Sequence, residues 1–399
     1  MKICYISEFA KPYSIGGVET ILDQEARYMR DKGHELVLIC FSSLNSRFKL
    51  NIEKDDIFNR RYIINRDPKI DLRNKIKKFL NLIYSYLNFR DLIMINTILK
   101  SENPDIIHLH YIRNLLLRRY LFSKDNIIYS SHDYSFICPR GGLLRRKGKI
   151  CEKPHIVCLL WQWLSGIKRC KRIIAVSNFV KNMLIKYGIN SHYVYSIPNF
   201  IDDDPLSYDG EKKISGDIKF ILLYVGRLQK QKGVHLLVEL IKMFKQEDKV
   251  ELWIVGDGEE IENLQCAAGA DSRIRFWGRI KKEKLSWFYN NANLLLLPSI
   301  CPETFGLVIV EAMDHGLPVI AFRVGAVTEL VENGKNGFIV DIGDIEGMKS
   351  KIDLLRSDVK LYELMSSLNY IRAKSFSKDN HCHMLEKIYH LVSASKKTR

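Results

Sequence analysis

No uncharged apolar run in the sequence reaches the roughly 20 residues that a membrane-spanning helix needs. The nearest attempt, Phe79 to Leu99, is broken by Arg90 and Asp91. Met1 to Ile6 reads as a core strand, and no apolar stretch with a small-residue cleavage site follows it, so no signal peptide is expected. A GxGxxG dinucleotide fingerprint is missing, and so are CxxC pairs, short repeats and low-complexity tracts. Negative charge is also short: 46 Asp and Glu stand against 62 Lys and Arg, a formal net charge of +16. The composition, 46% hydrophobic and 27% charged, excludes a wholly disordered chain, a collagen and a coiled coil.

What is present is 399 residues, too many for one ordinary core and comfortable for two. The charge divides unevenly between them. Residues 1–200 carry 34 basic and 17 acidic side chains, whereas residues 201–399 carry 28 and 29. One half therefore holds the whole surplus, which suggests two domains with different partners, one of them anionic. Nine cysteines include Cys4, Cys40 and Cys266 within apolar or helical runs, as expected of buried thiols in a reducing compartment. A cytoplasmic protein is the expectation.

Short β-branched runs alternate with helical patterns through most of the chain, which predicts parallel sheets with crossover helices. Strands are expected at Lys2–Ser7, Glu35–Phe41, Asp105–His110, Asn126–Ser131, Arg172–Ser177 and Tyr193–Ile197. The second half offers Phe220–Val225, Glu251–Val255, Arg273–Trp277, Asn293–Pro298, Pro318–Phe322 and Gly337–Val340. Each half then supplies one doubly wound sheet of Rossmann type. The boundary falls near Pro198–Gly216, rich in Pro, Gly and acidic residues. The expected organisation is a domain over 1–200, a second over 201–378, and a C-terminal helix and tail over 379–399. The two halves would face across a cleft, and the last helix would pack across to the N-terminal domain.

Three loops carry candidate chemistry. Gly16 and Gly17 lie between the first strand and a helix, where backbone amides can approach an anion; the same glycines also suit a tight connection. After FILLYV, the loop GRLQKQKGV places Arg227 and Lys232 before a helix, a pair that could hold a diphosphate or simply be a solvated basic loop. The segment PSICPETFGLVIVEAMDHGLPVIAF puts Glu303, Thr304, Phe305, Gly306 and Leu307 at a helix start and Glu311 within it. Glu311 falls in the apolar run VIVEAM and needs a hydrogen-bonding partner, for which ribose hydroxyls or a salt bridge would serve.

GRLQKQKGV, VGDGEE, FWGRI, ETFGLVIVEAMDHGLPVIA and TELVENGKNGFIV follow in an order and spacing that resembles family 4 of the retaining glycosyltransferases. GGVET, IIAVSNFVKNMLIKYGI and IPNFID resemble the N-terminal half of the same family. The resemblance covers nearly the whole chain, with residues 42–104 least diagnostic. It implies the GT-B fold, two Rossmann-like domains facing across a cleft. It further implies that Arg227 and Lys232 contact the diphosphate of a nucleotide-sugar, and that Glu303 holds a donor-sugar hydroxyl. Phe305, Gly306 and Leu307 would give main-chain contacts, Glu311 would bind the ribose, and Arg279 and Ile280 would line the base pocket. Gly17 would let its loop approach the diphosphate, and His132 looks like the active-site histidine that touches the donor sugar. Such a site requires no metal cofactor, since cations and helix dipoles can replace a divalent ion. No Asp-x-Asp pair suited to that ion stands out, Asp202, Asp203 and Asp204 reading as solvated linker residues.

The surplus charge concentrates at residues 60–78 and 140–172. Between the basic clusters of the second lies IVCLLWQWLSGI, twelve uncharged residues with Trp161 and Trp163. Basic flanks around such a stretch suit an anionic membrane surface, where a lipid-linked acceptor would be met; a core helix with solvated ends has the same pattern. Peripheral association with the inner face of the cell membrane is the resulting expectation. The same region contains Cys138, Cys151, Cys158 and Cys170, weak candidates for a metal site because CxxC spacing is missing.

These features predict a retaining hexosyltransferase that moves a sugar to a glycan or lipid-linked acceptor, in cell-surface polysaccharide or glycolipid synthesis. A sugar-nucleotide epimerase of the same architecture is the alternative. A basic nucleic-acid-binding protein is disfavoured, because no recognition helix, finger or aromatic single-strand platform is evident.

Overall fold

A computed structural model describes residues 1–8, 10, 16–42, 50–65, 87–144, 150–151, 153–202 and 219–397. Asp203 and Asp204, most of the boundary segment 198–216, residues 66–78 of one basic cluster and 145–149 of the other lie outside them. The chain forms two compact units. The first comprises Met1–Gly142, Cys151–Pro198 and Lys378–Arg399; the second comprises Leu143–Ile150 and Asn199–Ser377.

The first unit holds an eight-stranded sheet built from β1 (Lys2–Ser7), β2 (Glu35–Ser42), β3 (Leu50–Glu53), β4 (Arg60–Asn65), β5 (Ile106–Tyr111), β6 (Ile127–Ser131), β7 (Ile173–Ala175) and β8 (Val194–Ser196). Their order is β3-β4-β2-β1-β5-β6-β7-β8. All neighbours run parallel except the edge pair β3–β4. Five of the six residues of β1 are fully buried, as expected of a central strand covered on both faces by crossover helices. β3 and β4 were not expected from the sequence.

The helix Lys378–Lys397 closes this unit. Its Leu385, Ile388, Tyr389 and Val392 recur at helical spacing and enter one cluster with Ile3, Tyr5, Leu22, Leu38 and Ile106. Chain-terminal residues thus pack on the N-terminal sheet, as anticipated.

The second unit holds β9 (Phe220–Val225), β10 (Val250–Val255), β11 (Ile274–Gly278), β12 (Leu294–Leu297), β13 (Val319–Phe322) and β14 (Gly337–Val340). Every neighbouring pair in the order β11-β10-β9-β12-β13-β14 is parallel. From β9 the chain winds outward to β11, then returns to β12 and winds the other way. The winding therefore reverses between β9 and β12, and the carboxyl ends of the strands at such a reversal are the usual ligand position in open α/β sheets. Apart from the antiparallel edge pair β3–β4, both units are parallel α/β sheets, as the alternation of strands and helices predicts. Among the described residues, no helix is long and apolar enough to cross a membrane.

Candidate active site

In the second unit, the loop after β9 and the loop after β12 meet at this reversal. The first closes in a single 3-10 turn, Lys230–Lys232, and Gly233 at φ 69° passes the chain into the helix Val234–Lys242. Gly233 has no room for a side chain, since a Cβ there would lie 2.0 Å from the Pro298 carbonyl oxygen at the end of β12. This contact brings Lys232 to the second loop, where its Nζ donates to Glu303 Oε1 at 2.7 Å. The Ser299 hydroxyl donates to the same oxygen. Gly325 performs a matching service from the far side. At φ 55° it packs on the backbone of Glu303, whose carbonyl accepts from the Ala326 amide at 2.9 Å.

Burial pulls the Lys232 ammonium down, but the Glu303 carboxylate outweighs it and leaves the group above its ordinary value. Lys232 is therefore a fixed positive charge, partly shielded from water. Arg227, one turn earlier, is exposed, and its carbonyl is anchored by the Tyr224 hydroxyl at 2.9 Å. An exposed guanidinium near a held ammonium offers two cations to one anionic ligand.

Glu303, Thr304, Phe305 and Gly306 lead directly into the helix Leu307–Asp314, which no side chain caps. Gly306 takes φ 103° at its start. The Phe305 ring is buried edge-on against Phe376 at 5.7 Å, so this residue can offer a ligand only its main chain. Glu311 has the partner its apolar surroundings demanded: the buried Tyr289 hydroxyl donates to Oε2 at 2.7 Å. Burial, reinforced by Glu311, keeps that hydroxyl protonated by pushing its pKa well up. Arg279 (exposed) and Ile280 (half-buried) follow β11, two strands from β9 on the same carboxyl-end side of the sheet. The structure thus joins Lys232 directly to Glu303, continues that loop into Thr304–Leu307, and gives Glu311 a separate partner.

In the first unit, Gly16 is extended and precedes the helix that begins at Gly17. A Cβ on Gly16 would meet only the Glu19 carboxylate, a movable neighbour, so sterics alone do not demand glycine there. His132 follows β6 and joins a buried polar group that the sequence did not single out. Its Nε2 lies 3.0 Å from His110 Nδ1. His110 Nε2 lies 3.4 Å from Glu25 Oε2, and Glu25 Oε1 lies 2.9 Å from His381 Nε2 on the C-terminal helix. Burial, with His110 adding to it, pushes the His132 imidazole down to about 3, so it is neutral. A signal for part of this group does exist: His108 and His110 alternate at the end of an apolar strand, so both face one side and both need partners.

Ligand atoms of Glu25, His108 and His110 lie within 4.8 Å of one another, close enough to share a metal ion. Both His108 nitrogens are already engaged, by the Tyr389 hydroxyl at 2.7 Å and Ser130 Oγ at 2.8 Å. An ion bound through His108 would displace one of them, so the arrangement fits hydrogen bonding better. Cys138, Cys151, Cys158 and Cys170 are free and buried, and among the described residues they do not converge as a metal-ligand group. Burial, with Cys138 and Cys151 nearby, raises the Cys158 thiol, as befits a protonated packing residue.

The helix Ile156–Ser165 is inverted relative to an ordinary surface helix. Cys158, Gln162 and Ser165 form its buried stripe, while Ile156, Val157, Leu159, Leu160, Trp163 and Leu164 are exposed. Ile156 keeps 82% and Trp163 63% of its surface accessible. Lys153, Lys168, Arg169 and Lys171 are exposed around it, and the Arg119 guanidinium stacks on Trp163 at 5.0 Å. A core helix, one of the two sequence-based readings, is excluded by this exposure.

Comparison with known proteins covers both units. Residues 15–205 match the family model Glycosyltransferase Family 4, and residues 210–370 match Glycosyl transferases group 1. The chain is 24% identical over 373 residues to N-acetyl-alpha-D-glucosaminyl L-malate synthase of Bacillus anthracis, covering 88% of this chain and 87% of that protein. It is 31% identical over 189 residues to phosphatidyl-myo-inositol mannosyltransferase of Mycobacterium leprae, covering 47% and 50%. Among solved structures, sucrose-phosphate synthase from Thermosynechococcus elongatus matches with a TM-score of 0.79 at 20% identity, over 99% of both chains. The Anabaena protein HepE in complex with UDP-glucose matches with a TM-score of 0.69 at 19% identity, over 97% of this chain and 99% of that one.

Proposed function

The chain belongs to the group 1, family 4 type of glycosyltransferases and has their GT-B fold, and on that premise we propose that it moves a hexose, with retention of configuration, from a nucleotide-sugar to a glycan or lipid-linked acceptor. The observation that carries this reading is the Lys232–Glu303 pair at the reversal of the second sheet. A held ammonium and the exposed Arg227 suit a diphosphate, and the uncapped helix start at Leu307 adds amide donors for its oxygens. Glu303, an acceptor fixed beside that cation, suits a donor-sugar hydroxyl. Glu311, oriented by Tyr289, suits the ribose, and Arg279 and Ile280 suit the base. The solved complex of HepE with UDP-glucose supports a nucleotide-sugar as donor.

In this reading the acceptor hydroxyl attacks the anomeric carbon on the face from which the diphosphate leaves. The new C–O bond forms as the sugar–phosphate bond breaks, and the hydroxyl proton passes to a departing phosphate oxygen. Arg227 and Lys232 offset the negative charge that develops there. The protein's own cations supply this charge, so no metal cofactor is required.

The exposed face of Ile156–Ser165, rimmed by cations, fits an anionic lipid surface, and we place the acceptor there. The test is incubation with a panel of nucleotide-sugars, with and without lipid-linked glycan. Acceptor-dependent release of nucleoside diphosphate and a product of unchanged anomeric configuration are expected. Isomerisation of a donor in the absence of acceptor would overturn the reading in favour of an epimerase.

A further inference from the structure

Three of the chain's five tryptophans meet on one face of the second sheet, beside its β11 edge. Side chains alternate along β11, so Arg275 and Trp277 share that face, and parallel pairing sets Trp253 of β10 opposite Arg275. The helix Leu285–Asn291 lays Trp287 flat on Trp253, with ring centroids 5.5 Å apart and planes 2° from parallel. Phe288 is buried and meets Trp277 edge-on at 5.1 Å. Trp253 is the covered member of the group, whereas Trp277 and Trp287 keep 37% and 49% of their surfaces exposed.

Charges are fixed next to the rings. The buried Glu251 accepts from Trp253 Nε1 at 3.2 Å, from Arg275 Nη2 at 3.2 Å and from the Lys219 ammonium. Burial would raise its carboxyl, but Lys219, Trp253 and Arg275 outweigh that and hold it below its ordinary value. One carboxylate therefore stands between two cations whose side chains are exposed, which leaves positive charge in surplus at the surface. A guanidinium has five N–H donors, more than this contact uses. Residues 273–284 extend the pattern with six basic side chains and one acidic, in a half of the chain that is near neutral as a whole.

Exposed indole faces flanked by cations fit a sugar ring that carries negative charge. The C–H groups on a pyranose face are attracted to the electron-rich indole face, while a carboxylate accepts from the guanidinium. A bilayer fits less well: between residues 165 and 341, Trp277 and Trp287 are the only exposed large apolar side chains among the described residues, so no aliphatic anchor accompanies them. Single-stranded nucleic acid, with a phosphate at every step, would need a wider positive field than a near-neutral half supplies.

We propose that Trp277, Trp287 and Arg275 form a second, non-catalytic carbohydrate site that holds an acidic glycan, a chain bearing uronic acid carboxylates. The choice of a glycan as occupant rests on the reading of this protein as a transferase that acts on glycans. The site lies on the face of the sheet and is distinct from the Lys232–Glu303 pair at its carboxyl ends. It would keep a growing chain on the enzyme between transfers.

Calorimetry and intrinsic tryptophan fluorescence on the full chain test this, with oligogalacturonate as the acidic probe and a malto-oligosaccharide of equal length as the neutral one. Oligogalacturonate should bind on the order of tenfold more tightly and lose that advantage in high salt. Arg275→Gln should erase the difference between the probes, and Trp287→Ala should weaken oligogalacturonate on the order of tenfold. Binding of free nucleoside diphosphate should be unchanged in both variants. Arg275 is exposed at a sheet edge, so its variant decides even where Trp287→Ala does not fold. No binding of oligogalacturonate, equal binding of the neutral probe, or binding that survives both substitutions overturns the proposal. So does a dimer, tighter binding of a single-stranded oligonucleotide, or flotation with anionic vesicles that is lost in Trp287→Ala. Sugar transfer without oligogalacturonate binding would refute this site and leave the transferase reading standing; binding without transfer to any acceptor would do the reverse.

Discussion

Lys232 and Glu303, 71 positions apart in the chain, meet at 2.7 Å across the line where the second sheet reverses its winding. Each removes the other's cost of being partly buried, with side-chain exposures of 25% and 13%. Lys232→Ala and Glu303→Ala should each abolish transfer, by roughly 10²–10³ in kcat or more, without unfolding the protein. A double-mutant cycle on thermal stability should return a coupling on the order of 1 kcal/mol. Near-normal activity in either single variant would refute the site.

The Tyr289–Glu311 bond predicts a different kinetic signature. Tyr289→Phe leaves Glu311 unoriented in the helix Leu307–Asp314. The donor KM should rise on the order of tenfold while kcat changes little, because the proposed ribose contact would be made equally in the ground and transition states. Competition by free nucleoside diphosphate should weaken in parallel.

Glu102 predicts the acid limb of the stability curve. Burial alone would raise its carboxyl, but hydrogen bonds from Lys2, Tyr62 and Arg60 hold it down to about 2, against an ordinary 4.5. A depressed folded pKa stabilises above the unfolded value, and the gain disappears as pH falls from 4.5 toward 2. Its side chain has no accessible surface, and the contribution is on the order of 2–3 kcal/mol. Glu102→Gln should be less stable at neutral pH and lose less on acidification, as read from urea midpoints.

Membrane docking should depend on residues that the fold does not need. Leu160→Ser with Trp163→Ser alters exposed side chains and should change stability by no more than about 0.5 kcal/mol each. The same pair should abolish flotation with anionic liposomes, and high salt should weaken the unaltered protein's binding. Flotation that survives both changes would remove this surface from consideration.

Much of the fold could be read from the chain because its strands are short β-branched runs set off by Gly, Pro or Asn. Each strand of the second sheet was anticipated to within two residues. β3 and β4 escaped because Arg60 and Arg61 head β4, while Leu50–Glu53 is a short, half-exposed edge pairing that needs β4 to exist. In the helix Ile156–Ser165, composition suggested two surfaces and only burial chose between them. The polar stripe Cys158, Gln162 and Ser165, at helical spacing, was a visible clue to which side faced inward. Glu25 and His381 stand 356 positions apart, and no local pattern marks either as the other's partner.

The C-terminal helix also carries a consequence for biosynthesis. Leu385, Ile388, Tyr389 and Val392 complete a core whose other members come from residues 3–197. As the chain leaves the ribosome, the second unit has all its residues before the first has its last helix. The earliest-made sheet must wait, with part of its apolar surface uncovered, until the last twenty or so residues emerge. The unit begun first is finished last, and that interval is when it would most benefit from a chaperone.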